Sequence, residues 1–268
     1  MIDTHTHVIA SDAQRYPLQP RSLSGPWYLE APHTAEELAA CMDAAGVAKA
    51  VLVQAVGAYT YDNAYASDAA AAHPDRFASA CCIDATAADA VATLRFWVCE
   101  RGMHGVRLFA LSREAPSWLD DASTFPLWEE AASLGIHVVV TIFAHQLGEL
   151  RRVLERFPHV RVSLDHCAFP DAADPAPLFE LAKAENLLCK VSSVVLEAAG
   201  ARAEPFVTAL VERFGADRVM WGSDFCQTHD RPYGELVALA ESSFAGLSSA
   251  ERERCFVATP RSVWPSLR

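Results

Sequence analysis

At 268 residues the chain is long for a single sandwich domain and of ordinary length for one α/β barrel. About half of it is apolar (51%), which excludes general disorder, and a formal charge of −12, from 22 Lys and Arg against 34 Asp and Glu, argues against nucleic acid or a membrane surface as partner. Eight scattered cysteines without a C-x-x-C, a start unlike a signal peptide and the lack of a long apolar run fit a cytoplasmic protein with reduced, mostly buried thiols.

The chain opens Met1-Ile-Asp-Thr-His-Thr-His7. On a strand, side chains two apart share a face, so His5 and His7 point the same way, and neutral imidazole suits zinc and related ions. Residues 8–33 hold four prolines and no clear period, and read as a long loop whose Arg15, Tyr16, Trp27 and Tyr28 suit a pocket wall. Thr34-x-x-Glu37 then reads as a capping box on a helix over 35–45, stopped by Gly46.

From there strand and helix alternate. Strands are expected at 49–54, 77–83, 105–109, 136–142, 160–165, 187–193 and 218–222. Helices are expected at 60–72, 87–100, 124–134, 146–156, 175–185, 203–213 and 233–243, with a last helical piece at 249–264. With the opening strand this makes eight β units, each followed by helical sequence. The strands are near-continuous apolar runs, as parallel strands covered on both faces should be. The pattern predicts a single-domain (β/α)8 TIM barrel over 1–268, with an open doubly wound sheet as the rival. No Gly-x-Gly-x-x-Gly follows a strand and no Walker-type loop is present, so no nucleotide cofactor is expected.

Barrel sites form at the C-terminal ends of strands. There the sequence places His5 and His7, Gln54, Arg107, Thr141 with His145 just beyond, Asp165-His166, Lys190 with Ser192, and Asp224. Burying such groups without partners is costly. Each has a structural alternative. His166 as a hydrogen-bonded core histidine, Asp224 as a cap, Arg107 and Lys190 as ion-pair partners inside the barrel, and His145 as a helix start all remain open. His229 in the last loop is a further candidate. Cys226 is read as core filling, and His33, His73, His104, His137 and His159 as structural or solvent-facing.

A strand-eight carboxylate opposite histidines suits removal of a proton from water, and a divalent ion on His5, His7 and Asp224 would lower the pKa of water and polarise a carbonyl. Without a metal, the histidines would hydrogen-bond the developing oxyanion. Arg107 is the natural fork for a carboxylate.

IDTHTHV at 2–8, VLVQ at 51–54, GVRLF at 105–109, VSLDHCAFPD at 162–171, LLCKVSS at 187–193 and RVMWGSD at 218–224 together resemble the amidohydrolase superfamily. The resemblance is to its TIM-barrel hydrolase branch, and within that to the 2-pyrone-4,6-dicarboxylate and sugar lactonases. It implies that His5 and His7 are the strand-one H-x-H, His166 the strand-six histidine and Asp224 the strand-eight aspartate that handles the proton of the attacking water. Two departures stand out: strands four and five supply neither a ligand histidine nor a carbamylated lysine, and the final segment is Ala258-Thr-Pro-Arg-Ser-Val-Trp264.

The expectation is therefore a hydrolase that opens a small lactone or cyclic ester, acidic or sugar-derived. Asp224, His166, His5 and His7 are its catalytic residues. Arg107, Arg15, Tyr16, Gln54, Lys190 and His229 are its substrate-binding residues. The metal set is His5, His7, Asp224 and His166, taking one divalent ion (zinc or manganese) or none. The rivals are a metal-dependent decarboxylase or amide hydrolase, which would recruit His145, and a non-catalytic ligand-binding barrel. Barrels of this kind are often dimers, so a homodimer is also expected.

Overall fold

The structure, a computed structural model, describes residues 1–20, 25–113 and 116–267; four residues of the long 8–33 segment lie outside the described residues. Its strands are β1 (Ile2–Thr6), β2 (Lys49–Val53), β3 (Phe77–Cys82), β4 (Gly105–Phe109), β5 (His137–Thr141), β6 (Val162–Leu164), β7 (Leu187–Ser192) and β8 (Val219–Gly222). They pair in parallel in the order β1 to β8. The Thr6–Phe225 bridge brings the chain just beyond β8 back to β1, with His7 N–H donating to Phe225 O (2.6 Å) and Asp224 N–H to His5 O (2.8 Å). A sequential order that returns to its first strand is a (β/α)8 barrel, and the doubly wound rival is excluded.

Helices cover the outside between strands. The expected capping box on Ala35–Ala44 is present, with Glu37 N–H donating to Thr34 Oγ1 (3.2 Å) and Thr34 N–H to Glu37 Oε2 (2.8 Å). The helix expected over 60–72 begins only at Ala64, because Gln54 Nε2 donates to Asp62 O (2.6 Å) and holds that stretch as a turn. Among the described residues no helix is long and apolar enough to cross a membrane. The cysteines are free, with Cys41 half-buried, Cys99 exposed and the others buried.

The alternation of strand side chains separates two cores. Leu52, Val106, Leu108, Val138, Val140 and Leu164 face the helices. Ile2, Val51, Val53, Ala78, Ala80, Val139, Leu188 and Met220 fill the barrel, joined by Val263, Trp264 and Leu267 from the end of the chain. Trp264 lies against His137 (ring centroids 5.2 Å), the first residue of β5, and against Gly105, where a Cβ would come within 2.8 Å of the indole. The C-terminal segment therefore plugs the pole opposite the strand ends that carry the polar groups.

β1 holds the detail on which the site turns. Its register with β2 runs Ile2–Lys49 and Asp3–Ala50, then jumps to Thr6–Leu52, so three steps along β1 match two along β2. This bulge reverses the parity of the strand. Ile2 faces the barrel interior, and so do His5 and His7, although they sit at odd positions. The bulge is pinned from outside: Asp3 Oδ1 accepts the N–H groups of His5 (3.0 Å) and Ser223 (2.9 Å), and Tyr233 OH donates to Asp3 Oδ2 (2.9 Å). Burial pushes the Asp3 carboxyl up to about 6.

Replacing Trp264 by Ala should remove the plug and cost about 3–5 kcal/mol, read as a lower midpoint in urea unfolding at unchanged slope. At Gly222 a Cβ would meet His5 Cβ at 2.5 Å and His5 N at 2.9 Å. Gly222→Ala should destabilise by about 1–3 kcal/mol and, by displacing β1, abolish activity in the fraction that remains folded.

Candidate metal centre and active site

His5, His166 and Asp224, all buried, bring potential ligand atoms within 4.8 Å of one another and form a candidate divalent-metal site. Each arrives by a different local device. His5 comes from the bulged β1. His166 follows Asp165 directly, and on a regular strand the two would point to opposite faces; instead His166, Cys167, Ala168 and Phe169 take φ values of 53°, 49°, 61° and 53°. This left-handed run carries His166 round to the same interior that Asp165 occupies. Asp224, beyond β8, also has a positive φ (62°). Left-handed backbone is costly for non-glycine residues and gathers at functional sites.

Hydrogen bonding fixes the protons. His7 Nδ1 lies 2.8 Å from Val53 O, which can only accept, so Nδ1 carries the hydrogen and Nε2 of the neutral ring presents a lone pair. That Nε2 faces Asp224 Oδ1 at 3.2 Å. His5 Nδ1 lies 3.2 Å from Asp165 Oδ1, and its Nε2, buried without a hydrogen-bond partner, is 3.4 Å from Asp224 Oδ1. His166 Nδ1 pairs with Ser192 Oγ at 2.7 Å.

Burial holds the His5 imidazole well below its ordinary pKa, against the opposing pull of Asp165, and lowers His166 as well. Burial alone would raise Asp224, but the imidazoles of His166, His7 and His5 around it outweigh that and hold the carboxyl well below the usual carboxylate range. The imidazoles of His5 and His166 and a carboxylate oxygen of Asp224 thus converge in a buried space, where unpaired polar atoms are expensive. A cation satisfies all three, and two nitrogen donors with a carboxylate suit zinc or a similar divalent ion. The donor set therefore fits a metal.

Beneath this cluster lies a second polar layer. Lys190 Nζ donates to Asp165 Oδ1 (2.7 Å), while Arg107 Nε and Thr141 Oγ1 each donate to Asp165 Oδ2 (2.9 Å). Burial would raise Asp165, but Lys190, His5 and Arg107 outweigh it and keep the carboxyl well below its ordinary value. Arg107 and Lys190, for which an ion-pair alternative stood open, are both paired with a carboxylate. Lys190 is fully buried and turned to Asp165. Arg107 uses only Nε in this layer and stacks over Phe109 (4.8 Å), and its Nη groups have no hydrogen-bond partner among the described residues.

The other expected substrate contacts lie elsewhere. Arg15 Nη2 and Tyr16 OH both donate to Asp68 Oδ2 (2.7 and 2.6 Å) on the outer helix Ala64–Ala72, and Arg15 is largely exposed, so the structure does not bring either to the cluster. Gln54 is committed to the 60–62 turn. His229 ties the last loop to helix Trp27–Glu30, through Glu30 Oε2 at 3.1 Å. His145 is exposed, stacked on Phe143 (5.9 Å) at the start of a helical turn, and does not join the metal set. Sequence reasoning placed Asp165 and Ser192 at strand ends without giving either a role, and inward parity on β6 and β7 is the signal for both; Trp27, read there as suiting a pocket wall, has a buried indole that packs against His7 (5.6 Å).

Groups that paired only with one another would suit a non-catalytic barrel, but the unpartnered His5 Nε2 and the free edge of Arg107 do not follow that pattern.

Comparison with known proteins agrees with this geometry. The L-fucono-1,5-lactonase of Burkholderia ambifaria is 27% identical over 256 residues, covering 90% of this chain and 86% of that protein. A putative 2-pyrone-4,6-dicarboxylic acid hydrolase from Pseudomonas putida superposes with a TM-score of 0.81 at 25% identity, over 99% of this chain and 97% of that one. An amidohydrolase from Burkholderia multivorans, solved with bound zinc, superposes with a TM-score of 0.82 at 25% identity over 98% of both chains. The Amidohydrolase family model matches residues 2–265, and the chain belongs to the amidohydrolase family.

Proposed function

We propose that this protein is a metal-assisted hydrolase that opens a small lactone or cyclic ester, with Asp224 as the base for the attacking water. The observation that carries the reading is the buried set His5, His166 and Asp224, with lone pairs of His5 and His7 aimed at one carboxylate oxygen. The metal-free alternative requires N–H donors for the oxyanion. His7 Nε2 and His5 Nε2 present lone pairs instead, so the metal-assisted reading is preferred.

His5, His166 and Asp224 would hold the ion, which when bound supplies Lewis acidity, lowering the pKa of water and polarising a carbonyl. The chain's own contribution is placement and proton transfer. Asp224, ionised and at the rim of the cluster, takes the proton of the attacking water. His7, held by Val53 O, keeps its Nε2 3.2 Å from Asp224 Oδ1, beside the carboxylate that takes the proton. Trp27 closes the side of the site beyond His7 and excludes water. The free Nη edge of Arg107 receives a carboxylate or hydroxyl of the substrate. A ring ester is favoured because relatives matched over nearly the whole chain carry the names of a sugar lactonase and a pyrone dicarboxylate hydrolase.

A second reading, amide hydrolysis or decarboxylation, shares the three-residue set, which is indifferent to the leaving group. It does not depend on His145, which is exposed on Phe143, and the family match and the likeness to a zinc-bound amidohydrolase support a metal-assisted reaction of this kind without favouring one bond.

Sugar lactones, dicarboxylate lactones, amides and aromatic acids assayed with chelator-treated and zinc- or manganese-loaded protein decide between these readings. Loaded protein should hydrolyse lactones, and chelation should remove most of that activity; loaded protein inert to every lactone overturns the proposal. Asp224→Asn should keep the fold, seen by circular dichroism, and lower kcat by about 10²–10⁴-fold.

A further inference from the structure

Asp165 is the most heavily engaged side chain in the barrel, yet no role in the chemistry above falls to it. Its Oδ2 accepts from Arg107 Nε and Thr141 Oγ1 at 2.9 Å each, and its Oδ1 from Lys190 Nζ at 2.7 Å, with His5 Nδ1 at 3.2 Å. A carboxylate offers about four lone-pair sites, and here all four are taken. Asp165 is therefore closed to metal and to water, and it cannot act as a base.

The one soft partner in this set is His5. Its Nδ1 lies between Asp165 Oδ1 (3.2 Å) and Lys190 Nζ (3.3 Å), so two tautomers compete. In one, Nδ1–H donates to Asp165 and Nε2 keeps a lone pair. In the other, Lys190 donates to Nδ1, and Nε2–H must find an acceptor. Two observations favour the first. Lys190 already spends its shortest contact on Asp165, and a charge-assisted N–H···O⁻ bond is stronger than one from an ammonium to a neutral ring that must leave its carboxylate. Moreover, His5 Nε2 makes no hydrogen bond to Asp224 despite its 3.4 Å approach, as the second tautomer would require.

We propose that Asp165 is a positioning residue: held as a fixed carboxylate by Lys190, Arg107 and Thr141, it locks His5 as the Nδ1–H tautomer so that Nε2 presents a lone pair to the metal centre. The inference rests on the metal-assisted reading for its purpose, but the tautomer can be measured without any metal. A carboxylate behind a ligand histidine fixes ring orientation and raises ligand basicity, and loss of such a partner weakens metal binding. The sequence neighbours Asp165 and His166 then divide the work. The first acts from below through His5, and the second, carried round by the left-handed turn, faces the centre directly.

The test has two arms. Long-range ¹H–¹⁵N correlation spectra of metal-free wild-type protein, with His5 assigned through His5→Gln, should show the Nδ1–H form for His5; the Nε2–H form overturns the proposal. In the second arm, zinc and manganese affinities of wild type and Asp165→Asn are measured by competition with a chromophoric chelator. The variant should bind roughly 10- to 100-fold more weakly, and unchanged affinity in a folded variant overturns the proposal. Asp165→Asn leaves Lys190 and Arg107 without their anion, so its folding is followed by circular dichroism, and the wild-type spectrum decides the matter if the variant does not fold. Wild-type protein that takes up neither ion would defeat the metal reading of function, while the tautomer spectrum would still decide the role of Asp165.

Discussion

The structure depends on one buried anion. Asp165 sits fully buried in the barrel and gathers a lysine, an arginine, a threonine hydroxyl and an imidazole onto its two oxygens. Removing one partner from such a cluster would strand charge in a medium that solvates it poorly, which typically costs several kcal/mol. The cluster therefore acts as a rigid floor. Below it the barrel is apolar, from Val139, Leu188 and Met220 down to the Trp264 plug; above it lie His5, His166 and Asp224. This division into a floor that must be neutralised internally and a roof that is left electron-rich explains why Lys190 and Asp224, both charged and both at strand ends, have opposite fates.

The roof is unfinished by design of its hydrogen bonds. Val53 O takes the only hydrogen of a neutral His7, and Asp165 takes that of His5, so the nitrogens that reach the top have none to give. A site organised to donate hydrogen bonds to an oxyanion would be wired the other way round. Wiring of this kind suits cation chemistry, and the same feature separates the metal-assisted reading from a purely hydrogen-bonded one more clearly than residue identity does.

Much of this was legible in the sequence. Eight apolar runs separated by amphipathic segments are enough for the barrel, and the Thr34–Glu37 box marks its helix correctly. The residues His5, His166 and Asp224 were legible because charged or imidazole groups at the ends of buried strands need a reason. What was not legible depends on contacts distant in sequence or on backbone shape. Arg15 and Tyr16 look like pocket residues until Asp68, on another helix, captures both. Lys190 has inward parity, but its depth, and so its partner, depends on where β6 places Asp165. The left-handed run at 166–169 carries no glycine to announce it. These are tertiary effects, and local pattern does not contain them.

The bulge in β1 has a consequence for how this chain tolerates change. Two cores with opposite demands are served by one five-residue strand, and only the extra residue between Asp3 and Thr6 reconciles them. Many substitutions within the strand leave that reconciliation intact, because parity does not depend on side-chain identity. Loss of the bulge at the same length does not: regular pairing beyond Asp3–Ala50 would turn both imidazoles towards the helices while the hydrophobic pattern still read as a barrel strand. The direction of the two histidines is thus written partly in strand register, in a place where a comparison of residue types alone would find nothing missing.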